Sequence, residues 1–206
     1  MPINLKPNYQ MKNLLFIFLL VVAYTTSAQK VKLVEGSLKP LKDQKSIKTK
    51  FTYDNMIVGK DLTEEAYIDR KKKEYNEKEA GRGDKWEKAW YNDRENRFEP
   101  QFEELFEKYA NLIPTSSDEP TYMMIFHTTR TEPGWNVGVA RVPARIDGEV
   151  IIVETANPDK VIARITVTKA PGRDAWGLDF DTGLRLQEAY AKSGKEVGQL
   201  IAKAKK

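Results

Sequence analysis

Apolar and polar positions alternate weakly over residues 31–38 and strictly over 47–53, where Ile47, Thr49, Phe51 and Tyr53 alternate with Lys48, Lys50 and Thr52. A period of two predicts strands with one buried and one wet face. Met56-Ile57-Val58 extends the second strand past a bulge at Asp54-Asn55, and Gly59 ends it. The period then lengthens. Asp61-Leu62-Thr63-Glu64 offers a capping box for a helix from about Leu62 to Glu79. Gly81-Arg82-Gly83 breaks that helix, and Asp84 is placed to cap the next, in which Trp86 and Trp90 share a face. Pro100 restarts a helix carrying Phe102, Leu105, Phe106 and Tyr109 at i, i+3, i+4 and i+7.

The second half returns to a period of two. Tyr122 to Thr129 predicts a strand, Glu132-Pro133-Gly134 a turn, and Val137 to Ile146 an extended segment with Pro143 at an edge or bulge. Gly148–Thr155 and Val161–Thr168 predict a hairpin closed by Asn157-Pro158-Asp159-Lys160. A loop from Ala170 to Gly183 leads to a last helix, with Leu186, Tyr190, Val197, Ile201 and Ala204 on one stripe. Gly194 and Gly198, four apart on that helix, predict close approach to the sheet. The whole pattern predicts an α+β fold. It is expected as a two-layer sandwich: a mostly antiparallel sheet of about five strands, helices on one face, and an aromatic-rich helical insert at about 61–112. Between Asp61 and Asn111 that insert holds nine aromatic, fifteen acidic and eleven basic residues.

The N-terminus has another character. Leu14 to Ala23 is an unbroken apolar run preceded by Lys12-Asn13 and followed by Thr26-Ser27-Ala28. Ten helical residues span about 15 Å, half of a bilayer core of about 30 Å. That is the size of a signal-peptide core, with small residues at the cleavage site. Residues 1–28 are therefore expected to be a signal peptide cut after Ala28, with Met11 as an alternative start. Residues 29–206 are expected to form one domain without a stable membrane anchor. The expected destination is the periplasm or the exterior, and this leader resembles those of exported Bacteroidetes proteins.

Composition narrows the chemistry. The chain has no cysteine and a single histidine, His127. Disulfides, thiol nucleophiles and a lipid-bearing cysteine are excluded, and a metal held by two histidines would have to be shared between chains. Of 34 basic residues, Lys6 and Lys12 fall in the leader, which leaves a net charge near +2. So balanced a chain lacks the clustered excess that nucleic-acid binding needs. The Arg70-Lys71-Lys72-Lys73 run is flanked by acids at helical spacing and reads as a solvated helix face.

Individual motifs have bland explanations. Arg82-Gly83-Asp84 ends one helix and caps another in what is expected to be an exposed turn. Asp181, in Phe180-Asp181-Thr182-Gly183, suits a helix N-cap better than half of an aspartic-protease dyad. His127 shares a strand face with Met123 and Ile125 and suits a satisfied, partly buried position. No catalytic set, metal site or cofactor fingerprint emerges. The suggestive surfaces carry tryptophan: Trp135 in the turn after Glu132, and Trp176 with Asp179 in the loop before the last helix. Trp86 and Trp90 on the insert complete the candidate binding residues. An exposed tryptophan beside glycine is a natural binding anchor.

From Thr121 onward, the strand with Glu132-Pro133-Gly134, the arm Lys160-Val161-Ile162-Ala163-Arg164, the glycine-containing loop and the final helix resemble exported bacterial envelope domains. The outline is similar to curli-secretion-type periplasmic lipoproteins, though without their lipid-bearing cysteine and with an added aromatic insert. The resemblance implies an α/β envelope protein and brings no catalytic residue with it. The expected function is non-catalytic binding of a protein or small ligand, with homo-oligomers allowed. A hydrolase using carboxylates on envelope or external glycans is the alternative, and a small-molecule or lipid carrier a third reading.

Overall fold

The computed structural model describes residues 29–137, 140–173 and 181–205; the apolar run at 14–23, Trp176 and Asp179 lie outside the described residues. Among the described residues ten strands are formed: β1 (Lys30–Gly36), β2 (Ser46–Thr52), β3 (Ile57–Val58), β4 (Leu62–Thr63), β5 (Ile113–Thr115), β6 (Tyr122–Glu132), β7 (Trp135–Val137), β8 (Ala140–Val142), β9 (Arg145–Glu154) and β10 (Asn157–Pro171). Eight of them make one sheet of order β1-β10-β9-β6-β2-β5, with β3 beside β6 and β4 beside β3; β7 and β8 form a separate ribbon.

The α+β class holds, but the sheet is larger than expected and is mixed. β2 runs parallel to both β5 and β6, and β3 runs parallel to β6. The cause is the helical insert. It carries the chain back over the sheet between β4 and β5, the long crossover that parallel pairing requires. Treating the insert as an appendage hides the parallel half.

Two connections also differ from expectation. Glu154 pairs with Asn157, so the hairpin turns at Thr155-Ala156, and Asn157 to Lys160 belong to β10. The register slips between Asn157 and Val161. That irregularity accommodates Pro158, which has no N–H for the ladder. The segment 137–146 is not one extended run. Trp135 pairs with Val142 in the β7–β8 ribbon, and β9 starts after Pro143.

Helix α1 (Glu64–Asn76) starts at Thr63, whose hydroxyl accepts the Ala66 N–H at 3.2 Å. The cap is therefore Thr63, and Asp61 is left exposed on the β3–β4 turn. Helix α2 (Arg82–Asp93) is entered through Gly81 at φ 78°, a left-handed conformation natural to glycine, and Asp84 lies inside the first turn instead of capping it. Gly83 is buried against α1 and donates its N–H to Asn76 Oδ1 at 2.7 Å, so Arg82-Gly83-Asp84 is helical and not an exposed turn.

Pro100 does not interrupt the next stretch. A π-turn over Arg94–Phe98 joins α2 directly to α3 (Glu99–Ala110), with the Glu99 N–H donating to the Arg94 carbonyl five residues back. Proline cannot supply the regular i−4 bond, and the wider turn beside it absorbs the defect. The last helix, α4 (Thr182–Ala204), is capped as expected: Asp181 accepts the Leu184 N–H at 2.9 Å.

The core lies between α3, α4 and one face of the sheet. Met124, Phe126 and Thr128 of β6, Val150 and Ile152 of β9, and Ala163, Ile165 and Val167 of β10 are buried there. Phe102 meets Phe126 at 4.9 Å, and Phe98 stacks on Tyr190 at 4.8 Å. Gly194 and Gly198 do admit close packing, but against α3 and not the sheet. A Cβ on Gly194 would overlap the Phe102 carbonyl, and one on Gly198 would lie 2.9 Å from the Phe106 carbonyl oxygen.

Candidate functional site

The short β3–β4 hairpin divides two clefts. Strand alternation sends Val58 to one side and Ile57 to the other, and α1 continues the division with its successive turns.

The first cleft has a volume of about 590 Å³. One wall is Trp135, 46% exposed, carried by Glu132-Pro133-Gly134. The opposite wall is Tyr67, Arg70 and Lys71 of α1, and Lys60 and Asp61 form the rim. The loop beneath is held firmly. Arg130 donates to the carbonyls of Gly59 and Lys60 at 2.7 and 2.6 Å, and the Gly59 N–H donates to the Thr131 carbonyl at 2.8 Å. The Gly134 N–H donates to Glu132 Oε1 at 3.2 Å. Lys71 is drawn to Glu74 at 2.9 Å, one helical turn on. Among the described residues Lys60 and Asp61 have no side-chain partner, so both are available to a ligand.

The second cleft, about 1050 Å³, is lined by Tyr53, Asp54, Glu64, Glu65, Tyr91 and Arg94, with Thr52 and Met56 among others. Its inner wall is already occupied by protein interactions. Glu64 is buried and accepts from Trp90 Nε1 at 2.6 Å and from Arg94. The Arg94 guanidinium lies 4.1 Å from the Tyr53 ring centre and 5.1 Å from that of Tyr91. Tyr53 donates to Glu99 Oε1 at 3.1 Å, and the Tyr190 hydroxyl pairs with Thr128 at 2.8 Å. Burial, reinforced by Tyr190 and Glu99, pushes the Tyr53 phenol far up, which makes it the donor.

Burial also raises the Glu99 carboxyl, and Glu95 and Glu103 add to the rise while the Tyr53 hydrogen bond and Arg94 oppose it. A raised carboxyl binds its proton more tightly folded than unfolded. Its contribution is fully present below the unfolded value and is lost as pH rises through the folded one. Glu99→Gln is therefore expected to raise the melting temperature at pH 8 and leave it unchanged near pH 4. Thermal scans at both pH values test this.

Of the residues singled out in the sequence, Trp135 lines the first cleft. Trp86 and Trp90 sit between α1 and α2 in a ring cluster with Tyr67 and Tyr75, at centroid distances of 5.3–5.9 Å. Trp90 is only 7% exposed, and neither Trp86 nor Trp90 lines the cleft beside Trp135. His127 accepts or donates at Nδ1 to Thr52 Oγ1 at 2.9 Å, a satisfied partner across the β2–β6 pair. The basic run divides. Lys72 pairs with Asp84 and Glu87 on α2, whereas Arg70 and Lys71 turn to the cleft. The spacing Tyr67, Arg70, Lys71 is i, i+3, i+4, the signal that places both cations on the flank of a buried tyrosine.

Fold and site together define an α+β protein with a mixed sheet, a crossover of aromatic helices and a mixed-charge cleft beside an exposed tryptophan. Among the described residues there is no cluster of three or more His, Asp or Glu suited to a metal, and no helix long and apolar enough to cross a membrane. No protein-family model and no curated protein matches the chain. The solved structures similar to it include two forms of one assembly. One is the PelC dodecamer from Paraburkholderia phytofirmans, at a TM-score of 0.35 and 9% identity over 80% of this chain and 97% of that one. The other is a substituted form of the same dodecamer, at a TM-score of 0.34 and 8% identity with the same coverage.

Proposed function

We propose that the protein is an exported, non-catalytic binding protein of the periplasm or cell exterior that takes its ligand in the Trp135 cleft. The observation that carries this reading is Trp135 itself, a large ring left 46% exposed on the wall of a cleft whose volume, about 590 Å³, suits a small ligand. An exposed tryptophan costs solvation unless something covers it. The engagement of Glu64 by Trp90 and Arg94 favours binding over carboxylate hydrolysis, because it spends that acid on structure. The leader-like N-terminus and the likeness to curli-secretion-type envelope domains point to the same compartment.

Native mass spectrometry of protein purified without denaturation tests the reading, and the same spectra report self-association. A small-molecule adduct is expected on the wild type, roughly tenfold depleted in Trp135→Ala, a loss of the size expected for an aromatic anchor. An adduct retained by a Trp135→Ala variant of unchanged circular dichroism would overturn the assignment of the cleft. Turnover on a glycan panel that Glu99→Gln abolished would overturn the non-catalytic reading.

A further inference from the structure

The composition of the same cleft narrows its ligand, and the argument rests on the binding reading above. Among the described residues Trp135 is the single ring turned to the ligand. Tyr67, on the opposite wall, is 6% exposed and packs inward on Trp86 and Trp90 at 5.9 and 5.3 Å. A flat aromatic ligand gains most between two rings, whereas one platform suits a ring with one apolar face and one hydroxylated face. Pyranose sugars have that asymmetry.

Charge supplies the second constraint. Among the described residues three cations, Lys60, Arg70 and Lys71, meet two acids, Asp61 and Glu132. Glu132 is committed to the Gly134 N–H and Lys71 to Glu74. Arg70 is 53% exposed along its side chain and reaches Glu74 only at 3.8 Å; its guanidinium lies 5.5 Å from the Tyr67 ring centre, a contact that does not use its N–H donors. Among the described residues Lys60 and the N–H donors of Arg70 are thus the cationic groups most open to a ligand, with Asp61 as an acceptor for hydroxyl groups. The backbone tells against a polyphosphate. Such groups are cradled by free N–H donors, and those of Gly59 and Gly134 are already spent on Thr131 and Glu132.

We infer that the cleft binds an acidic sugar: the ring stacks on Trp135, a carboxylate sits between Lys60 and Arg70, and Asp61 accepts from ring hydroxyls. The test is isothermal titration of the purified protein with trigalacturonate and with neutral maltotriose, alongside vesicles of phosphatidylglycerol and phosphatidylcholine. Trigalacturonate is expected to bind at least roughly tenfold more tightly than maltotriose. Trp135→Ala should weaken trigalacturonate by about tenfold or more, and Trp135→Phe should recover part of the loss. The double change Lys60→Gln/Arg70→Gln should erase the preference over maltotriose, and raised salt should weaken only the charged ligand.

Equal affinity for both sugars, no binding of trigalacturonate, or binding of the vesicles in its place would overturn the inference. The two readings fail separately. An adduct of other chemistry that depends on Trp135 would discard the acidic sugar and keep the binding cleft. An adduct indifferent to Trp135 would discard both.

Discussion

Gly194→Ala is expected to lower the melting temperature by about 4–8 °C, although alanine is the better helix former. Gly194 is buried on α4 where that helix crosses α3, and a methyl group there would overlap the Phe102 carbonyl. The obstacle is backbone, so no rotamer change relieves it. The helices must separate, or Phe102, wholly buried among Phe51, Phe106 and Phe126, must shift with them. Overpacking a filled core costs about 1–3 kcal/mol, and a rigid obstacle puts this site at the upper end. Helix propensity returns about 1 kcal/mol. The net of about 2 kcal/mol corresponds to the stated shift for a domain of this size.

Gly198→Ala is the internal control. Its nearest neighbours would be the Phe106 carbonyl oxygen at 2.9 Å, the Ala110 nitrogen at 3.0 Å and the Tyr109 Cβ at 3.1 Å. The nearest atoms are again backbone, so the substitution is not free, but the overlap is far smaller than at Gly194, and Gly198→Ala is expected to lower the melting temperature clearly less. Thermal scans of both variants decide the matter, and equal melting temperatures would contradict the close α3–α4 contact.

The pair of glycines also marks where the sequence was informative and where it was not. Their spacing states that something approaches one face of α4 closely, and something does. Spacing carries no information on which element that is. Likewise the period-two runs located β2, β6, β9 and β10 to within a few residues, because each buries one face and exposes the other. They could not disclose the parallel pairing, since direction depends on where the intervening chain travels.

Pro100 was legible as a first-turn residue of α3; what it could not disclose is the π-turn that joins α3 to α2 without a break. The candidate site was legible in one residue, Trp135, by its place in a glycine turn. Its partners Lys60, Arg70 and Lys71 come from the β3–β4 turn and from α1, and only the β3–β6 pairing brings those elements beside it. The basic run looked uniformly solvated because a helix wheel cannot show that a neighbouring turn faces two of its four residues.

Glu64→Ala is expected to cost about 3 kcal/mol in urea unfolding with an unchanged slope. Glu64 stands at the start of α1, and a single oxygen, Oε1, accepts from Trp90 Nε1 at 2.6 Å and from Arg94. Trp90 is 7% exposed, and the Arg94 and Glu64 side chains are 19% and 11% exposed. Removing the carboxylate strands an indole N–H and a guanidinium in a largely dry place. Breaking such a pair costs about 3–5 kcal/mol when fully buried, and the residual exposure of Arg94 sets this one at the low end. Glu64→Gln keeps an oxygen for Trp90 and forfeits only the charge, so about half that loss is expected.

Arg94→Ala also loses its packing on Tyr53 and Tyr91, worth about 0.5–2 kcal/mol on its own. The double variant should nevertheless be less destabilised than the sum of the two single changes by at least about 1 kcal/mol, the signature of a direct pair. Strict additivity would show that Glu64 acts on Trp90 alone. A cost under about 0.5 kcal/mol for Glu64→Ala, the range of ordinary surface changes, would show that the network does not fasten α1 to α2. In the expected case the loosened start of α1 carries Arg70 with it. Amide exchange at Ile57 and Val58 should then rise together with the loss of stability, because Glu64 directly follows β4, the strand that pairs with β3.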